Sequence, residues 1–264
     1  MKKISFIFLL LIIAILTFNC TMIHQENYIF YPEKLPFDYA FSFPVPFQEL
    51  NFKTADNITI NGLLFKAGCS KGVVLYLHGN AGNLRSWGDL YADFTTRGYD
   101  VLFIDYRGYG KSTGTIENEE QLHEDAKLIY QSLIENYGED KIVVYGRSLG
   151  TGIAAKLAAE HKPKLAILET PYYNFTEVAR HHFPSLLVML ILKYKLETNK
   201  YISNIKCPVY LFHGTNDQTI PYEHSPRLVA LSSNIHLTTL KGGTHNNLSE
   251  FTEYQEQLTK ILKE

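Results

Sequence analysis

Residues 141–152 read KIVVYGRSLGTG. An apolar, β-branched run stops at Gly146, and Ser148 follows between two glycines in the pattern G-x-S-x-G. This pattern needs a sharp turn from a strand into a helix, with the serine in strained backbone angles and its hydroxyl clear of the sheet. Glycines without a Cβ let the strand and the helix approach closely. Ser148 is therefore a candidate nucleophile.

Short apolar runs alternate with helical patterns on both sides of this turn. The alternation predicts an α/β fold with a mostly parallel sheet, covered by helices on both faces. In such sheets, active residues gather just beyond the carboxyl ends of the strands. The predicted strands span residues 58–66, 73–79, 100–108, 141–146, 164–170, 208–214 and 236–240, and the predicted helices span 84–97, 117–137, 148–161, 222–233 and a last stretch from about 246.

Two titratable residues follow later strands of this series. Asp217 lies in HGTNDQTIP, and His245 lies in KGGTHNNL. A serine hydroxyl is a weak nucleophile without a base, and in this topology the order along the chain is serine, then acid, then histidine. Ser148, Asp217 and His245 are therefore predicted as nucleophile, orienting carboxylate and general base. The alternatives are a turn or cap role for Asp217 and an N-cap or surface position for His245.

An acyl-transfer site also needs two backbone N–H groups for the oxyanion. One is predicted at Leu149, directly after the nucleophile, where the helix N-terminus presents free N–H groups. The other is predicted at Asn80, in the loop HGNAGN after the strand over 73–79, because its glycines permit close backbone approach. His78 is expected to pack beneath that loop.

Several other classes of site are disfavoured. The net charge of −2 and the pI near 6.6 give no indication of a nucleic-acid surface. The three cysteines are too few and too scattered for a disulfide framework or a metal-ligand pattern. His181 and His182 have no partners at ligand spacing, so no metal site is expected. The stretch DYRGYGKS at 105–112 lacks the spacing of a phosphate loop, which favours a structural turn that supports the nucleophile loop.

The N-terminus differs in kind from the rest of the chain. Two lysines precede an apolar run from Ile4 to Phe18, which is short for a membrane span and typical of a signal-peptide core. Three readings of residues 1–20 stay open: an export signal with a lipidated Cys20, an uncleaved anchor, or an ordinary cleaved signal. All three predict an exported protein, and the first two attach it to a membrane through its N-terminus.

The remaining chain divides into an arm and a domain. Residues 21–49 contain several prolines and many aromatics, which predicts an extended N-terminal arm in preference to a disordered linker. Residues 50–264 form the predicted domain. Within it, residues 171–203 include an apolar run from Leu186 to Leu192, expected as a short cap over the active edge that closes an apolar acyl pocket. The alternatives are a core helix or a contact with the membrane.

The combination LYLHGNAGN, FIDYRGYGKSTG, VYGRSLGTG, FHGTNDQTIP and GGTHNNL resembles the α/β-hydrolase superfamily from about residue 50 onward. More narrowly, it looks like the membrane-anchored, bud-emergence-type group, which includes depalmitoylases. The resemblance implies an eight-stranded, mostly parallel sheet and hydrolysis of ester, thioester or amide bonds without a cofactor. It places the nucleophile, acid and base on Ser148, Asp217 and His245, and the oxyanion donors on Asn80 and Leu149. The departures are Glu169 and the aromatic, apolar segment after it.

The function expected from these residues is hydrolysis of carboxylic ester or thioester bonds through an acyl-enzyme. The substrate class is a small-molecule or lipid-like acyl compound, with neither cofactor nor metal. Two alternatives stay open. One is a serine aminopeptidase or amidase on the same fold, and the other is a non-catalytic surface lipoprotein that binds a partner.

Overall fold

The computed structural model describes residues 25–184, residue 188 and residues 192–263. The predicted signal or anchor over residues 1–20 lies outside these ranges, and so does most of the apolar run over 186–192. Among the helices in the described ranges, none combines the length and the apolar character that crossing a membrane requires.

An eight-stranded, mostly parallel sheet forms the centre of the molecule, as predicted. Its strands are β1 (Phe47–Lys53), β2 (Thr59–Phe65), β3 (Val73–Leu77), β4 (Asp100–Ile104), β5 (Ile142–Arg147), β6 (Leu165–Glu169), β7 (Val209–Gly214) and β8 (Ile235–Leu240). Their order across the sheet is β8-β7-β6-β5-β3-β4-β2-β1. Strands β3 to β8 run parallel, whereas β2 pairs antiparallel with both β1 and β4.

Helices flank the sheet. The α-helices within the described ranges are α1 (Glu26–Ile29), α2 (Leu84–Trp87), α3 (Tyr91–Thr95), α4 (Glu119–Tyr137), α5 (Leu149–Glu160), α6 (Phe175–His182), α7 (Thr198–Ile202), α8 (His224–Val229) and α9 (Thr252–Ile261). The helix predicted over 84–97 is broken by a 3₁₀ turn at Gly88–Leu90, and the last helix begins at Thr252 rather than near 246.

Helix α4 shows how local sequence sets the limits of an element. The Asn118 side chain accepts a hydrogen bond from the backbone N–H of Gln121 at 3.0 Å, which caps the first turn. Leu122, Ala126 and Ile129 recur at helical spacing and are buried against the sheet. The helix ends at Tyr137, and Gly138 follows with φ of +84°, a value that favours glycine.

Strand side chains alternate between two cores, one on each face of the sheet. In β3, Leu75 and Leu77 belong to the core that contains Ile129 of α4, whereas Tyr76 belongs to the core on the other face. The second core also contains Leu258 of α9. Burial of successive residues on opposite faces explains why these strands read as continuous apolar runs.

Strand order locates the site. Strand β4 pairs with one edge of β3, and the chain then crosses back so that β5 pairs with the other edge of β3. A crevice opens at the carboxyl ends of strands where the order reverses in this way. The loop containing Asn80 follows β3, and Ser148 follows β5, so both lie at this reversal.

Strand β1 (Phe47–Lys53) begins inside the segment predicted as an extended arm, residues 21–49, and overlaps its last three residues. Two prolines precede this strand, and its largely exposed pattern is that of an edge strand, so alternation did not reveal it. We call residues 25–46 the N-terminal arm. The arm packs on the domain: Phe41 is buried, and residues 31–32 pair in parallel with residues 81–82.

Candidate active site

The turn after β5 has the geometry that its sequence predicts. Ser148 has φ of +50° and ψ of −115°, a strained conformation for a residue with a Cβ. A Cβ on Gly150 would lie 2.0 Å from the Leu77 carbonyl oxygen, and one on Gly146 would lie 2.5 Å from that of Gly150. Both glycines are therefore required for the close approach of β5, β3 and α5.

Ser148, His245 and Asp217 form one hydrogen-bonded chain. His245 Nε2 lies 3.0 Å from Ser148 Oγ, and His245 Nδ1 lies 2.7 Å from Asp217 Oδ2. The carboxylate can only accept, so Nδ1 carries the hydrogen and Nε2 is free to accept the serine proton. The structure thus brings together the three side chains predicted from the strand ends, in an arrangement suited to proton transfer from a serine.

The electrostatics of Asp217 favour its charged form. Burial opposes the charge, but hydrogen bonds from His213, His245 and the Ile220 backbone outweigh it and hold the pKa of the Asp217 carboxyl well below its ordinary value. Oδ1 accepts the backbone N–H groups of Thr219 at 2.8 Å and Ile220 at 2.9 Å. Oδ2 is thereby directed towards His245.

The two predicted oxyanion donors face the same cavity as the serine. Asn80, Ser148 and Leu149 all line it. Leu149 is the first residue of α5, so its N–H has no intrahelical acceptor. Free N–H groups at this helix end, together with the helix dipole, favour a negative oxygen beside Ser148.

The loop that carries Asn80 is held from below by two tyrosines. Tyr109 donates its hydroxyl hydrogen bond to the Asn80 backbone oxygen at 2.8 Å, and Tyr106 donates to the His78 backbone oxygen at 2.8 Å. His78 is fully buried beneath the loop and stacks on Trp87. Both tyrosines belong to the DYRGYGKS stretch. The sequence predicted that this stretch supports the nucleophile loop, but in the structure these tyrosines support the Asn80 loop.

The N-terminal arm holds the same loop from its outer side. The Asn80 side-chain amide donates to the Ile29 carbonyl, and the Tyr31 N–H donates to the Asn80 carbonyl at 3.3 Å. The Asn83 amide donates to the Glu33 carbonyl at 2.9 Å. Sequence reasoning missed these contacts, because nothing in the arm marks it as a partner of a loop fifty residues away.

Arg147 and Glu169 connect the nucleophile turn to the histidine loop. Arg147 Nε lies 3.2 Å from Glu169 Oε1, and its guanidinium also donates to the His245 carbonyl at 3.4 Å. Glu169 is buried and accepts hydroxyl hydrogen bonds from Tyr145 and Tyr254. The sequence singled out Glu169 only as a departure from the superfamily pattern. Glu169 and Arg147 are opposite each other at the ends of the paired strands β6 and β5, and this pairing, which neither motif signals, brings the two side chains together.

An apolar cavity of about 640 Å³ opens above the serine. The arm, the nucleophile turn and the segment predicted as a cap all contribute to its walls. Apolar side chains form most of the lining, which suits a hydrocarbon group. The residues that line it are Gln25, Tyr28, Ile29, Tyr31, Asn80, Ser148, Leu149, Tyr172, Phe175, Val178, Ala179, His182, Phe183, Val188, Leu192, Thr219 and Ile220.

No cluster of ligating side chains within the described ranges could hold a metal ion. His182 instead lies with Nε2 3.0 Å from the Thr219 carbonyl oxygen. Cys69 and Cys207 are both free thiols, and burial raises the pKa of Cys207 to about 11.

Comparison of the sequence with known proteins gives one family match and several relatives. Residues 68–198 match the family model Hydrolase_4, described as serine aminopeptidase, S33. An uncharacterized protein of Acanthamoeba polyphaga mimivirus is 28% identical over 92% of this chain and 94% of that protein. The lysophosphatidylserine lipase ABHD12 of Danio rerio is 31% identical over 61% of this chain, and the match spans about half of that lipase, 47%.

Comparison with solved structures confirms the α/β-hydrolase fold. An esterase of Pyrococcus furiosus superposes with a TM-score of 0.71 at 21% identity, covering 89% of this chain and 97% of that one. An acetyl xylan esterase from Paenibacillus sp. R4 superposes with a TM-score of 0.70 at 18% identity, covering 85% and 86%. At these identities the likeness carries the fold alone.

Proposed function

We propose that this chain, an α/β-hydrolase-type enzyme, hydrolyses esters of apolar, lipid-like acyl groups through Ser148. The observation that carries the proposal is the hydrogen-bonded chain from Ser148 through His245 to Asp217 at the wall of an apolar cavity. The name of the similar lipase from Danio rerio supports the same bond type. Thioesters of the same acyl groups are a second substrate class for this chemistry.

In the proposed mechanism, His245 Nε2 takes the hydroxyl proton as Ser148 Oγ attacks the acyl carbon. The negative oxygen accepts hydrogen bonds from the N–H groups of Asn80 and Leu149. His245 returns the proton to the departing alcohol or thiol, which leaves an acyl-Ser148 ester. Water then attacks this ester by the same route, releases the carboxylic acid and restores the serine. Asp217 stabilises the imidazolium throughout and is not itself protonated.

Serine substitutions test the proposal directly. Ser148→Ala should lower turnover of p-nitrophenyl butyrate by roughly 10⁴-fold or more, because the nucleophile is lost. Ser112→Ala is a matched control and should keep most of the turnover. The buried Ser112 hydroxyl donates to the Asp105 carbonyl and accepts from the Asn61 N–H, and Ser112 does not line the cavity. Turnover by Ser148→Ala at the wild-type rate, with unfolding midpoints equal, would rule the proposal out.

An aminopeptidase is the second candidate, favoured by the description of the matching family. An enzyme of that kind needs an acidic group near the nucleophile to bind the substrate ammonium. The cavity lining within the described ranges contains no aspartate or glutamate, which favours a neutral acyl group. A panel of amino-acid anilides and acyl esters separates the two functions. Faster cleavage of the anilides would replace our proposal with the aminopeptidase.

We further propose that the protein is exported and held at a membrane through residues 1–20. The apolar run from Ile4 to Phe18 supports this. So do the exposed aromatic rings among the cavity-lining residues, Tyr28, Tyr31 and Phe183, with exposed fractions of 63%, 59% and 50%. Cell fractionation should find the full chain with membranes, and Cys20→Ser should release it only if Cys20 is lipidated. Recovery in the cytoplasmic fraction would contradict export.

A further inference from the structure

A second imidazole, that of His213, contacts Asp217. His213 is the penultimate residue of β7 and its side chain is fully buried. Its Nε2 lies 3.3 Å from Asp217 Oδ2, the same oxygen that accepts the bond from His245. The proposed mechanism does not use this histidine, so its placement calls for an explanation.

The partners of His213 fix its tautomer. Nε2 lies 2.9 Å from the Ile220 carbonyl oxygen, which can only accept, so Nε2 carries a hydrogen. Nδ1 lies 2.7 Å from Ser225 Oγ, so the hydroxyl donates to Nδ1 in the neutral imidazole. The Nε2–H group therefore donates to the Ile220 carbonyl, and Nε2 at the same time lies 3.3 Å from the charged oxygen of Asp217.

This arrangement places polar groups around both carboxylate oxygens of Asp217. Oδ1 accepts two backbone N–H groups, and Oδ2 accepts the N–H of His245 and lies 3.3 Å from His213 Nε2, whose hydrogen also serves the Ile220 carbonyl. The carboxylate is held in one orientation, and the charge on Oδ2 is shared between His245 and His213. A buried carboxylate with fewer donors would be less strongly ionised and freer to rotate.

We propose that His213 is a positioning residue for the general base: it holds the Asp217 carboxylate towards His245 and takes part of the charge that His245 would otherwise receive alone. The inference rests on the proposed function, since it concerns the same Ser148–His245–Asp217 chain. Ser225 contributes to this role of His213, because its hydroxyl donates to Nδ1 and so favours the tautomer with the hydrogen on Nε2.

Two substitutions distinguish this role from simple packing. His213→Leu removes both ring nitrogens at similar volume, whereas His213→Gln can place an amide N–H near the position of Nε2. For the leucine variant we expect kcat to fall roughly 10- to 100-fold with KM little changed. We also expect the acid limb of the kcat/KM profile to move to higher pH, because the full charge of Asp217 then stabilises protonated His245. The glutamine variant should recover most of both properties.

The control is a neighbouring buried histidine. His224 Nδ1 accepts the Tyr173 N–H at 3.0 Å and makes no bond to Asp217, so His224→Leu should leave the acid limb at its wild-type position. The titratable groups that surround the two imidazoles of the proposal are Asp217, Tyr222, His224 and Arg147. None of these is changed in the variants of His213.

For each full-length variant we would also measure the thermal unfolding midpoint, and the fraction of molecules with a reactive Ser148 by saturating fluorophosphonate labelling. Should His213→Leu fail to fold, His213→Asn takes its place, because a shorter amide can reach Ser225 but not Asp217. An unmoved acid limb in these variants, with glutamine no better than leucine, would overturn the inference. Turnover that survives Ser148→Ala would instead overturn the proposed function, so the two failures are distinguishable.

Discussion

Two regions line the cavity: the residues just after the carboxyl ends of the sheet strands, called here the edge, and the N-terminal arm. They differ in how clearly the sequence predicts them. At the edge, Ser148 follows the continuously buried apolar run of β5, and His245 follows β8, whose end residues Ile235 and Leu240 are buried. In the arm, Ile29 and Tyr31 line the cavity, and each is tied to Asn80 by one hydrogen bond: the Ile29 carbonyl accepts from the Asn80 side-chain amide, and the Tyr31 N–H donates to the Asn80 carbonyl. We infer that the edge carries the chemistry, whereas the arm positions one loop and shapes the wall that the acyl group meets.

The largest effect expected from the comparison lies at the edge. Asp217→Asn should lower kcat for p-nitrophenyl butyrate by about 10⁴-fold, because an amide can favour the wrong tautomer of His245 and does not stabilise its imidazolium. KM should change little, since Asp217 is not among the residues that line the cavity. Steady-state kinetics check both numbers. A loss of less than tenfold would mean that the edge does not work as a triad.

A smaller effect is expected where the arm meets the edge. Asn80→Ala removes the amide bond to Ile29 but keeps the backbone N–H, so kcat should fall roughly tenfold through loss of position. Tyr109→Phe is the companion variant, because it removes the hydroxyl that donates to Asn80 and leaves the ring. If neither variant changes kcat while both lower the unfolding temperature, the arm and the tyrosine serve stability alone.

The wall of the cavity should change substrate preference rather than rate. Ala179→Phe narrows the wall formed by α6, and Ile29→Phe narrows the wall formed by the arm. Each should move the preferred acyl chain of a p-nitrophenyl ester series to shorter lengths, with roughly 10-fold or greater loss of kcat/KM for the longest chains. A length profile equal to that of the wild type would place the acyl group outside this cavity.

The smallest effect concerns pH and stability. The pKa of Asp217 lies well below its ordinary value in the folded protein, so its charge stabilises the fold above the unfolded-state pKa. This contribution is lost as the pH falls through the folded pKa. The difference in unfolding free energy between wild type and Asp217→Asn should therefore be constant above about pH 5 and shrink in stronger acid. A difference that grows in acid would contradict the direction of the pKa shift.

Much of the edge could be predicted from the sequence because its signals are local. The glycines around Ser148 report a close approach that no side chain would allow, and apolar runs report strands buried on both faces. The arm contacts could not be predicted in the same way. Its pairing with residues 81–82 depends on two backbone segments meeting in space, and no residue type is required for that.

Two features of the structure, strand β1 and the ion pair of Arg147 and Glu169, were not predicted from the sequence. Strand β1 was missed because an exposed edge strand shows weak alternation, with only Phe47, Leu50 and Phe52 partly buried. The ion pair of Arg147 and Glu169 was missed because adjacency of β5 and β6 follows from the strand order, not from either motif. Which strands are neighbours, and therefore which side chains meet across the sheet, depends on the strand order and cannot be read from a single motif.

The central claim is that Ser148 is the activated nucleophile. A fluorophosphonate probe should form one covalent adduct on the full-length protein, and peptide mass spectrometry should place it on Ser148. Ser148→Ala should not be labelled, and Asp217→Asn should be labelled far more slowly. The absence of an adduct on the folded wild-type protein, or an adduct that persists in Ser148→Ala, would contradict the account.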